Sequence, residues 1–445
     1  MDNPQPRIVW GSTPPRRGST LRSAPRDSPR DFELSLHRKT FRHHSAYMAL
    51  RGPAIALSTQ LSSFVAIKSL GATENEAIWI AYALPLGNLF AIFWSRALAR
   101  RHRIPFAFWP DLIGFIALLP IAFVTTPWAF IGIMIATVVL RSSTVVALSG
   151  IIRDNYPAEQ RGRIMGKIQA SSLGVMALSG LLFGWMMEQD AAAYRYLFPL
   201  SAVLGILAVW QLRRIPEEDP SKRAFARPPS LWDFFRVLKR DPDFFRYQVS
   251  FFLFGFAALM YGALLPLYLA QDLDVSYQQG AMALVVIVSG LPVLTSYIWG
   301  RILDRYNMLL MRGLFNLLYA VSPLLIFLIP TIVGVMAGQV LVGLIQAGSS
   351  LVWNLGINLF ARKEEVPLYM GIHQTLTGIR GIFSPMLGLW MAQYLAFGGA
   401  IPNYRAVFLL CAVVMAIAGF FMIWESRVMV RKGRATIFRM AEKGE

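Results

Sequence analysis

Apolar residues in this chain come in long blocks, and the blocks set its architecture. A helix needs roughly 20 largely apolar residues to cross a bilayer. Twelve such stretches follow one another, at about 46–67, 77–95, 106–124, 128–150, 166–187, 194–212, 248–270, 279–300, 311–330, 332–358, 369–396 and 404–425. The apolar positions run right round each helix instead of alternating in twos, so the pattern predicts helices, not barrel strands. Residues 1–45 hold no long apolar run and are rich in Arg, Pro and Ser, as at Pro14-Pro15-Arg16-Arg17. A disordered tail is predicted there, and no signal peptide, because no apolar region follows the charges.

The polar connectors alternate in sign. Those after the even-numbered spans are basic: Arg96, Arg100, Arg101 and Arg103; Arg153, Arg161, Arg163 and Lys167; nine Arg and Lys residues between Arg213 and Arg246; Arg301, Arg305 and Arg312; Arg362 and Lys363. The others are short and neutral or acidic, with Glu74, Glu76, Glu188, Asp190, Asp272 and Asp274. Lys68, Arg195 and Arg405 are the exceptions. Basic loops stay in the cytoplasm, so both termini are expected there, as an even number of spans requires.

Composition narrows the class. The 445 residues are 55% hydrophobic and 15% charged, with a net charge of +18. A soluble domain carries about 25% charged residues, so this is a membrane protein. Its basic excess sets orientation and is no footprint of nucleic acid. A single cysteine, Cys411, rules out a disulfide scaffold.

Two short motifs recur at one offset. Trp94-Ser95-Arg96-Ala97-Leu98-Ala99-Arg100, ending the second span, matches Trp299-Gly300-Arg301-Ile302-Leu303-Asp304-Arg305, ending the eighth, 205 residues on. The same offset carries Met165-Gly166-x-x-Gln169 onto Met370-Gly371-x-x-Gln374, while Phe41-Arg42 echoes Phe245-Arg246 one residue off it. Two six-helix halves, 46–215 and 247–426, are expected, between basic tails at 1–45 and 427–445. The linker, 216–246, begins Pro216-Glu217-Glu218-Asp219-Pro220, and Leu231, Trp232, Phe235 and Leu238 recur in it at helical spacing. They predict a short helix on the bilayer surface.

Twelve spans, a 6+6 repeat and a long basic middle loop resemble the major facilitator superfamily. So does Gly300-Arg301-x-x-Asp304-Arg305, which looks like that family's motif between spans two and three of each half, and Asp154-x-x-Pro157-x-x-x-Arg161-Gly162, which looks like its loop after span four. The resemblance covers about residues 40–428. It implies alternating access, the halves rocking about a site near the midplane, with Asp304 pairing in one conformation and released in the other. The first half has Ser95 and Ala99 where the motif has Gly and Asp.

Charge inside the membrane marks candidate chemistry, because it is expensive there unless it faces a cavity or a partner. Arg141 lies mid-span four and Arg380 mid-span eleven, beside His373, Gln374 and Thr377. Each arginine either binds an anionic group, since a guanidinium fork matches carboxylate or phosphate, or bonds helix carbonyls and snorkels. Arg51 reads as an interfacial anchor, and Asp111, after Trp109-Pro110, as a helix-start residue. Tyr261 and the pair Asn354 and Asn358, four apart on one face, are further polar candidates for the cavity. Gly180-x-x-x-Gly184 and Gly334-x-x-x-Gly338 predict close helix packing.

No phosphate-cradling G-x-x-x-x-G-K-[ST] occurs, no metal spacing among the five histidines, and no catalytic triad. The expectation is a monomeric, non-enzymatic transporter in a bacterial cytoplasmic membrane, without ATP, metal or other cofactor. It moves a small organic solute, an anion by preference. Efflux of amphipathic compounds is one alternative, although Arg141 lacks the glycine that exporters of the family carry four residues on (Val145). A transporter-like sensor or scaffold is another.

Overall fold

The computed structural model describes residues 29–98, 101–217, 231–361, 365–394 and 404–433, and no strand occurs among them. α1 (Pro29–Leu50) halts at Arg51, and Gly52-Pro53 restart the chain as α2 (Gly52–Ile55). A π-helical segment, Ala56–Leu61, leads into α3 (Ser62–Leu70), which ends at Gly71 in the left-handed region (φ +67). Then come α4 (Glu74–Ala77), α5 (Ala83–Leu98), α6 (Arg103–Ile116), α7 (Pro127–Asn155), α8 (Ala158–Gln189) and α9 (Tyr194–Arg213). The later part holds α10 (Leu231–Arg240), α11 (Pro242–Leu267), α12 (Tyr277–Ala281), α13 (Ile287–Arg305), α14 (Met308–Leu328), α15 (Ile332–Leu355), α16 (Val366–Tyr394) and α17 (Tyr404–Arg431). Two more π segments, Tyr268–Asp272 and Met282–Val286, continue α11 and α12.

Nine helical stretches among the described residues are long and apolar enough to cross a membrane. The other three expected stretches are helical as well. At 46–67 the helix is broken by Gly52-Pro53, 77–95 opens on a 3-10 turn (Ile78–Tyr82), and α16 is diluted by His373, Gln374 and Arg380. The outward surface is apolar, with Phe93, Trp109, Leu178, Trp185, Leu294, Phe383 and Phe420 all exposed. That is the composition a bilayer solvates and water does not. α10 forms as its spacing predicts: Val237 and Leu238 pack inward with Phe244, while Trp232 and Phe235 stay exposed.

Matching capping boxes start the second span of each part. Thr73 accepts from the Glu76 N–H and Glu76 accepts from the Thr73 N–H; Ser276 and Gln279 do the same. Each satisfies two otherwise orphaned backbone donors.

The two parts meet closely at one end of the bundle. Lys68 pairs with Asp274, Ser69 Oγ lies 2.6 Å from the Tyr277 hydroxyl, Gln278 N–H donates to Glu188 at 3.1 Å, and Gln393 Nε2 donates to Glu74 at 3.0 Å. Behind these bonds α8 presses on α12 and the π segment after it. A Cβ on Gly180 would lie 2.6 Å from Val285, and one on Gly184 2.6 Å from Ala281. Only glycine fits such an approach, so the first predicted seam joins the two parts. The second lies within one part, Gly338 against Ser322 of α14.

At the opposite, arginine-rich end several ion pairs lie within one part. Arg103 pairs with Asp154, and Glu217 accepts from the backbone N–H groups of Arg103 and Ile104 at 2.5 and 3.0 Å. In the later part Arg246 pairs with Asp243 and Glu425, Lys432 with Asp243, and Arg240 with Glu365.

Gly180→Leu therefore overpacks the seam. It should cost about 1–3 kcal/mol, read as a lower unfolding midpoint of the detergent-purified protein. Gly132→Leu, at a position with open space around it, should leave the midpoint in place.

Candidate functional site

Two clusters of buried charge lie inside the bundle. The first is built by α1, α6 and α7. Asp111 sits well inside α6, one residue after Pro110, and is fully buried. It is not a helix-start residue. Its Oδ2 accepts from the Tyr47 hydroxyl at 2.9 Å, and that hydroxyl accepts from Arg51 at 2.9 Å. Arg141, 5% exposed, brings Nε to 3.7 Å from Asp111 Oδ1 and lies 4.3 Å from the centre of the Phe115 ring. Arg141 thus has a counter-ion, and Arg51 is tied into the cluster through Tyr47.

The second cluster is built by α11, α14, α15 and α16 around Phe251. Arg380 donates to the Phe251 carbonyl at 2.5 Å, with its guanidinium carbon 5.1 Å from that ring's centre. The guanidinium lies so close to α11 that a Cβ on Gly255 would stand 2.0 Å from it and would push the arginine from this position. Across the ring, Arg312 of α14 is 4.3 Å from Phe251 and 4.8 Å from Phe254, and it donates to Ser349 at 2.9 Å. The two arginines are 3% and 6% exposed. His373 Nδ1 donates to Gln248 Oε1 at 3.1 Å, and the imidazole is ringed by Tyr247, Phe251 and Trp353.

The other expected site residues scatter. Thr377 donates back to the His373 carbonyl at 2.9 Å. Gln374 is half-buried and bonds no described residue. Tyr261 is 1% exposed and bonded to Ser322 at 2.9 Å and Gln339 at 2.7 Å, tying α11, α14 and α15 together. The side chains of Asn354 and Asn358 lie outside the described residues. Arg312 was missed. In the sequence it stands among the loop cations, but Asn307 caps α14, which carries Arg312 past the first turn and into the bundle.

The loop motifs also differ in state. Arg161 donates to the carbonyls of Arg153 and Tyr156 at 2.9 and 3.2 Å, and Asp154 is held by Arg103 and Arg153. By contrast Arg301, Asp304 and Arg305 are exposed beyond Gly300 at the end of α13, and Arg301 only stacks on Tyr297, 4.2 Å from its ring centre. Asp304 makes no ion pair among the described residues.

Comparison with known proteins decides the family. The family model described as Major Facilitator Superfamily matches residues 46–311 and 280–437. The chain belongs to the major facilitator superfamily. Solved structures of the superfamily's fold match along nearly their whole length. A mutant of the nucleoside transporter NupG superposes with a TM-score of 0.68 at 13% identity, over 88% of this chain and 99% of that one. A POT family transporter in complex with 5-aminolevulinic acid gives 0.66 at 12%, over 92% and 98%. The human organic anion transporter MFSD10 gives 0.61 at 14%, over 87% and 99%. At these identities the likeness is one of fold. No match was found among curated protein sequences.

Within this superfamily member the Asp111–Arg141 pair is open to a direct test. Asp111→Asn leaves Arg141 buried without a counter-ion and should cost about 3–5 kcal/mol. Adding Arg141→Gln should recover much of the loss, with the unfolding midpoints of the single and double variants as the measure.

Proposed function

We propose that this chain is a secondary active or facilitative transporter of a small organic solute, an anion by preference, working by alternating access in a bacterial cytoplasmic membrane. In this reading twelve spans form two six-helix halves, 46–215 and 247–426, with both termini cytoplasmic. One observation carries it: among the described residues the bonds that join the two parts gather at the Lys68–Asp274 end, while at the arginine-rich end Asp304 makes no ion pair and Arg301 stacks on Tyr297 of its own helix. A molecule whose two parts are bonded at one end and, among the described residues, not at the other fits one of the two states that alternating access requires. The sealed end is then periplasmic, and the open end faces the cytoplasm. The anion preference follows from the second cluster, where two guanidiniums share a ring and neither meets a carboxylate.

The test is to pin the seam. A Cβ on Gly290 lies 3.7 Å from Ala177 Cβ, within the Cβ–Cβ range of a disulfide, and the native Cys411 is buried out of reach. In proteoliposomes an Ala177→Cys, Gly290→Cys protein should lose solute flux on oxidation and regain it on reduction. Flux unchanged by the cross-link would overturn alternating access, and a protein that binds solute but never moves it would be a sensor.

The sealed end is also pH-dependent. The Lys68 ammonium, by hydrogen bond and charge, holds the Asp274 carboxyl below the usual carboxylate range. A depressed carboxylate contributes stability above its unfolded pKa and loses it as pH falls through the folded one. Acidifying the periplasmic side below the carboxylate range should therefore raise the population open on that side. Asp274→Asn should show the raised population already at neutral pH and no further response from this pair, as read by accessibility of a cysteine placed at Ala177, where a Cβ is already accommodated in the same seam.

A further inference from the structure

The repeat makes the two clusters comparable position by position. The 205-residue offset carries Asp111 onto Asn316, and the offset one residue shorter, seen at Phe41-Arg42, carries Tyr47 onto Phe251 and Arg51 onto Gly255. The first cluster is thus a set of two arginines, a tyrosine hydroxyl and a carboxylate. In the second the carboxylate has become an amide, the hydroxyl has gone, and Arg380 has entered the space over Gly255. Asn316 is fully buried, and neither its Nδ2 nor its Oδ1 has a partner. It lies four residues from Arg312, on the same face of α14.

The second cluster is therefore short of negative charge. No carboxylate acts on Arg312 or Arg380 among the described residues; Asp243 and Glu425 are engaged by Arg246 at the end of α11. Donors are in surplus. Arg312 Nε, Arg380 Nε, Gln248 Nε2, the Tyr247 hydroxyl and Asn316 Nδ2 are all buried and unpartnered. Aromatic faces supply part of the compensation, but rings cannot accept these donors as oxygen does. The cluster also adjoins the seam between the parts: α16 packs Gly378 against Leu89 and Gly381 against Pro85 of α5.

We propose that Arg312 and Arg380 together bind the anionic end of the transported solute, and that this solute carries two negative charges on oxygen, as a dicarboxylate or a phosphate monoester. The proposal rests on the transporter reading above and names its substrate class. The ligand supplies the counter-charge that Asp111 supplies to Arg141. Because α16 carries Arg380 and packs against α5 of the other part, rocking of one part against the other would couple occupancy to the change of state.

The test uses the full-length protein in detergent, with succinate, a phosphate monoester, acetate and chloride as probes. A ligand of the folded state raises its unfolding midpoint. One of the two dianions should raise it by several degrees where acetate and chloride at equal ionic strength do not, and which dianion does so identifies the head group. Arg312→Gln and Arg380→Gln should each weaken that binding about tenfold or more, as loss of a charged hydrogen bond does. The Asp111→Asn, Arg141→Gln double variant should keep it. Asn316→Asp gives a readout independent of misfolding: it places a carboxylate beside Arg312, so it should raise the midpoint of the ligand-free protein and weaken dianion binding together. The proposal falls if neither dianion shifts the midpoint, if the shift survives both arginine variants, or if Asn316→Asp binds dianion as tightly as the parent. Flux separates this from the broader reading. A dianion that binds at this cluster but is never moved sinks transport and leaves the site; flux of another solute, unaffected by dianions, sinks the site and leaves transport.

Discussion

A guanidinium inside a bilayer-spanning bundle must be answered by something negative, and this molecule is organised around how that demand is met. The groups are buried, so each N–H that lacks an acceptor remains a standing cost. In the earlier part the answer is covalent to the chain: Asp111 faces Arg141, and Tyr47 relays the interaction to Arg51. In the later part the answers are a carbonyl, a serine hydroxyl and the faces of two phenylalanines. Those ligands orient an arginine without neutralising it. The difference between the two clusters is one of chemistry: one holds its counter-charge within the chain and the other does not.

Much of the scaffold is legible in the sequence because bilayer solvation is a coarse demand. Roughly 20 apolar residues announce a helix whatever their order, and the basic connectors between them are visible without a partner. The small-residue seam at Gly180 and Gly184 is legible for a similar reason: absence of a side chain has one principal use between packed helices. What the pattern does not give is which neighbours the seam joins.

The site is less legible, because charge was judged by its depth along the chain rather than by what it faces. Asp111 follows Trp109-Pro110, a sequence that often opens a helix, yet α6 begins eight residues earlier at Arg103. Arg312 stands among loop arginines in the sequence, yet the Asn307 cap starts α14 early enough to bury it against α11. In both cases the helix starts three residues before the apolar stretch that hydropathy marks, at Arg103 and at Met308. Tyr261 shows the opposite case: a polar group expected to face the cavity whose hydroxyl is already spent on Ser322 and Gln339. Gly255 gave no signal alone, since its role is to leave room for a residue 125 positions away.

The three π-helical segments, Ala56–Leu61, Tyr268–Asp272 and Met282–Val286, lie near the sealed end. An α-helix turns about 100° per residue, and a π turn absorbs about one residue more than an α turn. The side chains on either side of each segment are therefore out of phase by about that angle. The stripe that faces the central space is not the continuation of the stripe that meets the opposite part at the sealed end. One helix can thus present two faces that are out of register with each other. A substitution on one of them need not disturb the other.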